Sequence, residues 1–167
     1  MTKGIHDGVP KGAISTVFAE RWKDYEGTFV RIMHPELGDL EVRPTATRAI
    51  IGDFPDPAGR AIHIMTAHNP GVQLSEQDNR HRQQMLVTAV DKMSDAHAWS
   101  ALGGDPSWVH TEDSVAIVGL TDQSAVELAR RFDQDAIFRW TRTEWTLISC
   151  RSEQRHTAGW QLIRSVL

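Results

Sequence analysis

The sequence predicts an α+β domain of the ferredoxin-like, split βαβ sandwich type: an antiparallel sheet with both helices on one face, plus an N-terminal helix/strand extension. Three observations predict it. From residue 60 onward the elements run β-α-β-β-α-β, with one further strand behind them. Two segments in that run carry helix caps followed by apolar stripes at helical spacing. Residues 114–120 are almost continuously apolar, as a central strand would be.

Taken in order, residues 13–25 read as an amphipathic helix with Ile14, Val17, Phe18 and Trp22 at helical spacing. Residues 29–33 read as a short strand. Residues 34–59 hold Pro35, Pro44, Pro55 and Pro57 and read as loop, with room for short strands at 40–42 and 49–51. Residues 61–67 form a strand with Ile62, Ile64 and Thr66 on one face, and His68-Asn69-Pro70-Gly71 is turn chemistry. Ser75 is an N-cap, with Asp78 complementing the helix dipole and Leu86, Ala89, Val90 and Met93 forming the apolar stripe. Residues 95–103 are a strand ending in a Gly-Gly-Asp-Pro turn. Thr121 or Asp122 caps the next helix, whose Ala125, Leu128, Ala129 and Phe132 share one side. Residues 136–140 and 145–150 pair as a hairpin across 141–144. The tail, with Trp160, Leu162, Ile163 and Val166, docks as a short helix or an edge strand. The expected organisation is a single domain over 1–167: an extension at 1–59, an α+β core at 60–150, and a tail at 151–167 packed on that core.

Composition excludes several function classes. The 18 basic and 22 acidic side chains give a net charge of -4, without the single-sign bias of a duplex-DNA binder. Six tryptophans and several arginines offer stacking surfaces for single strands, although core and rim packing is the stronger account of large aromatics in a small domain. The lone Cys150 forms no internal disulfide and indicates a reducing compartment. Residues 1–10 are polar and Gly-rich, and no apolar run approaches membrane length, so the expected setting is cytoplasmic with no membrane partner.

The chemically unusual stretch is 66–82. A buried-type strand ends in Thr66, His68 and Asn69, whose side chains donate and accept. The turn then leads to a helix N-terminus, where free N–H groups and the dipole favour negative charge. Projected at helical spacing, Asn79 and Arg82 continue the stripe of Leu86, Ala89 and Met93. An amide and a guanidinium facing a core are costly unless paired, so either the strand-end residues or a ligand should meet them. The alternative is a folding device in which Asn69 caps the turn, Asn79 bonds a neighbouring loop and Arg82 extends to solvent.

The strand ending in Thr66-Ala67-His68-Asn69-Pro70, followed by Asn79 in a polar helix start, resembles the bacterial domain-of-unknown-function family 3293. So does the later block of Trp108, Glu112, the strand at 115–119 and the helix closing on Phe132-Asp133-Gln134-Asp135-Ala136-Ile137-Phe138. The resemblance covers about residues 60–150. The sequence departs from the family pattern at His68, where an aromatic is expected, and at Asp133 and Asp135, where Gly and Asn are expected. The resemblance implies no known activity.

Elsewhere, His110-Thr-Glu112 and the scattered histidines match no established metal spacing, and no metal or cofactor is expected. Glu112, placed between Trp108 and an apolar strand, is a candidate general acid or base, since burial against a ring raises a carboxyl's pKa. Gln134, between a helix and a strand, either reads a ligand or caps. Nucleophile elbows, Walker loops and dinucleotide fingerprints are absent. Three functional readings remain. The first is binding of a small polar or anionic ligand, a nucleotide or nucleobase among the candidates, through Thr66, Asn69, Asn79, Arg82 and Gln134. The second is a hydrolase- or lyase-type enzyme with Glu112 or His68 as general acid/base and Arg82 stabilising an anion. The third is a partner-protein or single-stranded RNA adaptor, which an exposed cluster of Trp22, Trp140 and Trp160 would favour.

Overall fold

Among the described residues nine strands share one sheet, which a further strand pairing closes on itself. The computed structural model describes residues 11–165, with side chains from residue 19 onward. In chain order the elements are α1 (Lys11–Glu26), β1 (Phe29–His34), β2 (Gly38–Thr45), β3 (Ile50–Ile51), β4 (Ile62–Thr66), α2 (Glu76–Asp91), β5 (His97–Gly104), β6 (Thr111–Val118), α3 (Asp122–Arg131), β7 (Ala136–Trp140), β8 (Trp145–Ser149) and β9 (Arg155–Arg164). β3 is a two-residue strand lying parallel on β9. The other eight strands pair antiparallel throughout and close into a barrel.

The ferredoxin-like expectation is therefore overturned. Strands β5-β6-β4-β7 do lie side by side, with α2 and α3 between them in the chain, but the sheet does not stop there. β1 continues it beyond β5, β8 continues it beyond β7, and β2 meets β9 to complete the circle. Two segments account for the misreading. Pro44, read as a loop residue, sits next to the end of β2, opposite Trp160, where a missing N–H removes a bond only at the strand's end. The tail is neither helix nor edge strand: β9 runs ten residues and bonds both β8 and β2.

Closure gives the sheet two apolar faces. Val30, Ile32, Leu40, Val42, Ile62, Ile64, Ala116, Val118, Trp140, Trp145 and Trp160 pack inside the barrel. Met65, Ala67, Val115, Ile117 and Ile137 face outward and are covered by Leu86 and Val90 of α2 and by Ala125, Leu128 and Ala129 of α3. Alternation along β6 thus sends Val115 and Ile117 to the helices and Ala116 and Val118 into the barrel, which explains its unbroken apolar run. Both helices start where their caps indicate: Ser75 Oγ accepts from Asp78 N–H, and Thr121 Oγ1 from Ser124 N–H. The stripe expected at Ile14, Val17 and Phe18 of α1 lies outside the described side chains, while Trp22 of the same helix is buried. No helix among the described residues is long and apolar enough to cross a membrane.

Candidate functional site at the barrel mouth

Inward-facing side chains change size along the barrel, and that change leaves a cavity. At the end where β4 and β5 finish and β6 and β7 begin, register sets Thr66 opposite Ser114, Gly103 opposite Glu112 and Ala136 opposite Ser149. Toward the other end the inward positions hold Trp140, Trp145 and Trp160, and Phe54 packs against two of them at ring separations of 5.1 Å and 6.4 Å. Small residues cannot fill the width that the tryptophans fill. A cavity of about 910 Å³ remains at the small-residue end, with Val30, Ile64, Phe138 and Leu147 deep in it and Thr66, His68, Asn69, Glu112 and Gln134 nearer its rim. The last turn of α1 adds Lys23, Asp24 and Tyr25.

Asn69 is the hub of the rim. Its backbone is left-handed, at φ +42°, a conformation Asn tolerates better than most residues. Its N–H donates to Asn79 Oδ1 at 2.9 Å, and Asn79 Nδ2 returns a bond to Asn69 Oδ1 at 2.9 Å. Leu74 N–H donates to the same Oδ1 at 3.1 Å. With Oδ1 accepting two bonds, the amide can face only one way, and Asn69 Nδ2 donates to Glu112 Oε1 at 3.3 Å. Glu112 Oε2 has no partner among the described residues. Burial pushes the Glu112 carboxyl above the usual range, while the Asn69 bond and the Arg21 charge pull it back.

The remaining predicted residues divide sharply. Thr66 lines the cavity, but its hydroxyl donates to Asp113 O at 2.7 Å and accepts from His68 N–H at 3.0 Å. Gln134 Nε2 donates to the carbonyls of His68 and Phe132, both at 3.1 Å, leaving its own carbonyl oxygen without a partner among the described residues. His68 lines the cavity with Nε2 enclosed and without a partner among the described residues, and burial lowers the ring's pKa. Asn79 and Arg82 are not among the lining residues. Arg82 Nε donates to Ala67 O at 3.0 Å and Nη2 to Phe132 O at 2.6 Å, so the guanidinium ties the end of β4 to the end of α3. The buried stripe of α2 is Asn79, Gln83, Leu86 and Val90, and Gln83 Oε1, which the sequence reading passed over, accepts from Ala67 N–H at 3.1 Å.

Sequence reasoning also missed the contribution of α1. Arg21 donates to Asp135 Oδ2 at 3.2 Å and to Gly71 O at 3.1 Å, and buried Asp135 is paired again with Arg151. Tyr25 borders the cavity with its phenol pushed up to about 12, by burial first and then by the nearby charges of Asp135 and Glu112. No local pattern marks Arg21 or Tyr25. Gly103 closes the strand expected at 95–103, and β5 continues through it to Gly104. Trp22, Trp140 and Trp160, whose joint exposure would mark a partner surface, are all buried. No group of three or more metal-ligating side chains gathers among the described residues.

A pH prediction follows from Glu112, which faces Asn69 from the loop after β4 and Arg21 and Tyr25 from α1. Its folded pKa is raised, so the folded chain holds this proton more tightly than the unfolded chain does. The site is most favourable while protonated and loses that advantage as pH rises through the folded value. Glu112→Gln keeps the acceptor that Asn69 uses and removes the titration. Calorimetry should find the variant melting above wild type at about pH 7, with the gap closing below about pH 4.

Residues 65–137 match the model of a family described as protein of unknown function (DUF3293). No curated protein and no solved structure matches the chain. The matched stretch runs from the end of β4 to the start of β7 and takes in Thr66, His68, Asn69, Asn79, Arg82, Glu112 and Gln134, while β1, β2, β8 and β9 lie outside it. Through this stretch, which carries both the Asn69 clip and the cavity carboxyl, the chain is similar to the DUF3293 family of proteins of unknown function.

Proposed function

We propose that the barrel mouth binds a small polar molecule, with Glu112 as its anchor and His68 and Gln134 beside it. One observation carries the reading: a cavity of about 910 Å³ is lined by a half-buried carboxyl with one oxygen bonded by Asn69 and the other without a partner among the described residues. Ligand sites in proteins are concave, largely apolar and furnished with a few convergent polar groups; this cavity has an apolar inner wall of Val30, Ile64, Phe138 and Leu147 and a more polar mouth. An anion is less well served than the sequence suggested. The start of α2 is already capped by Ser75, and Arg82 is spent on two backbone carbonyls. The reading keeps the cytoplasmic setting that the single cysteine indicates.

Gly103 offers the cleanest test. A Cβ there would meet Ser114 Oγ at 3.6 Å and Thr28 Cγ2 at 3.9 Å, ordinary contact distances, and would stand directly opposite Glu112. A thermal-shift and calorimetric screen of nucleosides, amino acids and amines should yield ligands of the wild-type chain that Gly103→Leu no longer binds although it still folds. Removing the anchor charge in Glu112→Gln should weaken the same ligands about 10-fold or more. Ligands that bind Gly103→Leu unchanged lie elsewhere and sink the reading.

A proton-transfer enzyme is the second reading, favoured by Glu112 and His68 lining one cavity, where burial raises the pKa of the carboxyl and lowers that of the ring. Turnover that survives in both Glu112→Gln and His68→Phe would remove it.

A further inference from the structure

We propose that the ligand of the barrel mouth is an amphiphilic amine, its ammonium head on Glu112 and its apolar body deeper in the barrel. The proposal rests on the reading that this cavity is a binding site, and it comes from asking which hydrogen-bonding groups there are already spent.

The donors are largely committed. Asn69 Nδ2 serves Glu112, Gln134 Nε2 serves two backbone carbonyls, and the Thr66 hydroxyl serves Asp113 O. Arg21 is occupied by Asp135 and Gly71 O. The acceptors are left over. Among the described residues no donor meets Glu112 Oε2 or the Gln134 carbonyl oxygen, whose side chains are bonded only through Glu112 Oε1 and Gln134 Nε2, and His68 Nε2, an acceptor when the ring proton sits on Nδ1, is enclosed without a partner there. Unmet acceptors in a partly dry site call for a ligand rich in donors, and an ammonium brings three of them with a positive charge. Charge agrees with the count: Asp24, Glu76 and Asp105 border the cavity with Glu112, against Lys23. A cation beside Glu112 would also hold the carboxyl ionised despite its burial.

The deeper wall asks for something different. Val30, Ile64, Phe138 and Leu147 offer apolar surface where the barrel narrows toward the tryptophans, and Phe138 stacks on Trp145 at 5.1 Å. A purely polar cation would leave that surface wet, whereas an alkyl or aryl body would cover it.

The test uses one tail with three heads: hexylamine, hexanol and hexanoate, with butylamine as the short control, titrated into the full chain by calorimetry with tryptophan emission read in parallel. Hexylamine is expected to bind at least 10-fold more tightly than hexanol, and hexanoate more weakly than both. Each added CH₂ should strengthen binding by about fourfold. Glu112→Gln should erase the preference for amine over alcohol and keep the dependence on tail length. Hexanoate matching hexylamine, a head preference that survives Glu112→Gln, or binding indifferent to tail length each overturns the amine assignment. If hexanol or hexanoate then still binds in a Gly103→Leu-sensitive way, the cavity reading stands without it. If no member of the series and no screened compound binds, the cavity reading falls as well.

Discussion

Trp160→Ala is expected to lower stability by about 3–5 kcal/mol, which for a chain of this length is a fall in melting temperature of about 6–20 °C. Trp160 is 1 % exposed and sits on the strand that closes the barrel, between β8 and β2. Its ring meets Trp140 edge-on at 5.3 Å, and its indole N–H donates to Thr141 O at 2.9 Å. Truncation removes the largest kind of apolar side chain from the barrel interior and leaves that carbonyl without its donor. A companion pair sharpens the test. Trp140 is fully buried too, but its indole N–H has no acceptor among the described residues. Trp160→Phe should therefore cost more than Trp140→Phe, by about 1 kcal/mol, the net worth of one hydrogen bond. In an open sandwich with a peripheral tail, Trp160 would be the milder site of the two. Equilibrium urea unfolding of the four variants distinguishes these outcomes.

That contrast marks where the sequence stops speaking. Local elements were legible because their signals are local: Ser75 and Thr121 at the caps, Phe132 and Leu128 on one helical side, and the hairpin turn between Trp140 and Trp145. Barrel closure is a pairing between residues 38–45 and 155–164, and nothing near either segment announces it. Pro44 masked the first segment. The second carries Gly159, where any Cβ would collide with the carbonyl oxygen of Ala49 as the chain crosses over β9. That glycine reads as a break in a strand until the crossing chain is seen. The apolar run of β6 marked a central strand, and β6 does lie between β5 and β4, but its second apolar face meets the opposite wall of a barrel, which the sandwich expectation left out.

The site was legible in its residue types and not in their roles. Polar side chains at a strand end do converge with the start of α2, since Asn69, Asn79 and Glu112 are joined by hydrogen bonds. Which of them face a cavity depends on which bonds each has already made, and periodicity carries no such information. Asn79 looked like a ligand group because it interrupts an apolar stripe; in the fold it is the partner that holds Asn69. The space itself comes from Gly103, Ser114 and Ala136, and an absence of bulk has no motif.

Arg82 carries the second large prediction. Arg82→Ala is expected to cost about 2–4 kcal/mol, from two charge-assisted bonds lost and two carbonyls left short of a donor. Those carbonyls, of Ala67 and Phe132, belong to the end of β4 and the C-terminal cap of α3, so the guanidinium joins two elements with no covalent connection nearby. Asp133, 3.7 Å from Nη2 and well exposed, adds little to this. Arg82→Lys should recover only part of the loss, since an ammonium is a compact charge that does not reproduce the planar fork of a guanidinium. Ligand affinity gives the complementary readout. Measured well below its melting temperature, Arg82→Ala should hold the dissociation constant of a barrel-mouth ligand within about threefold of wild type, because the guanidinium lies outside the cavity lining. An affinity loss of 10-fold or more with unchanged unfolding would reverse the assignment, making Arg82 a ligand contact and its two carbonyl bonds incidental.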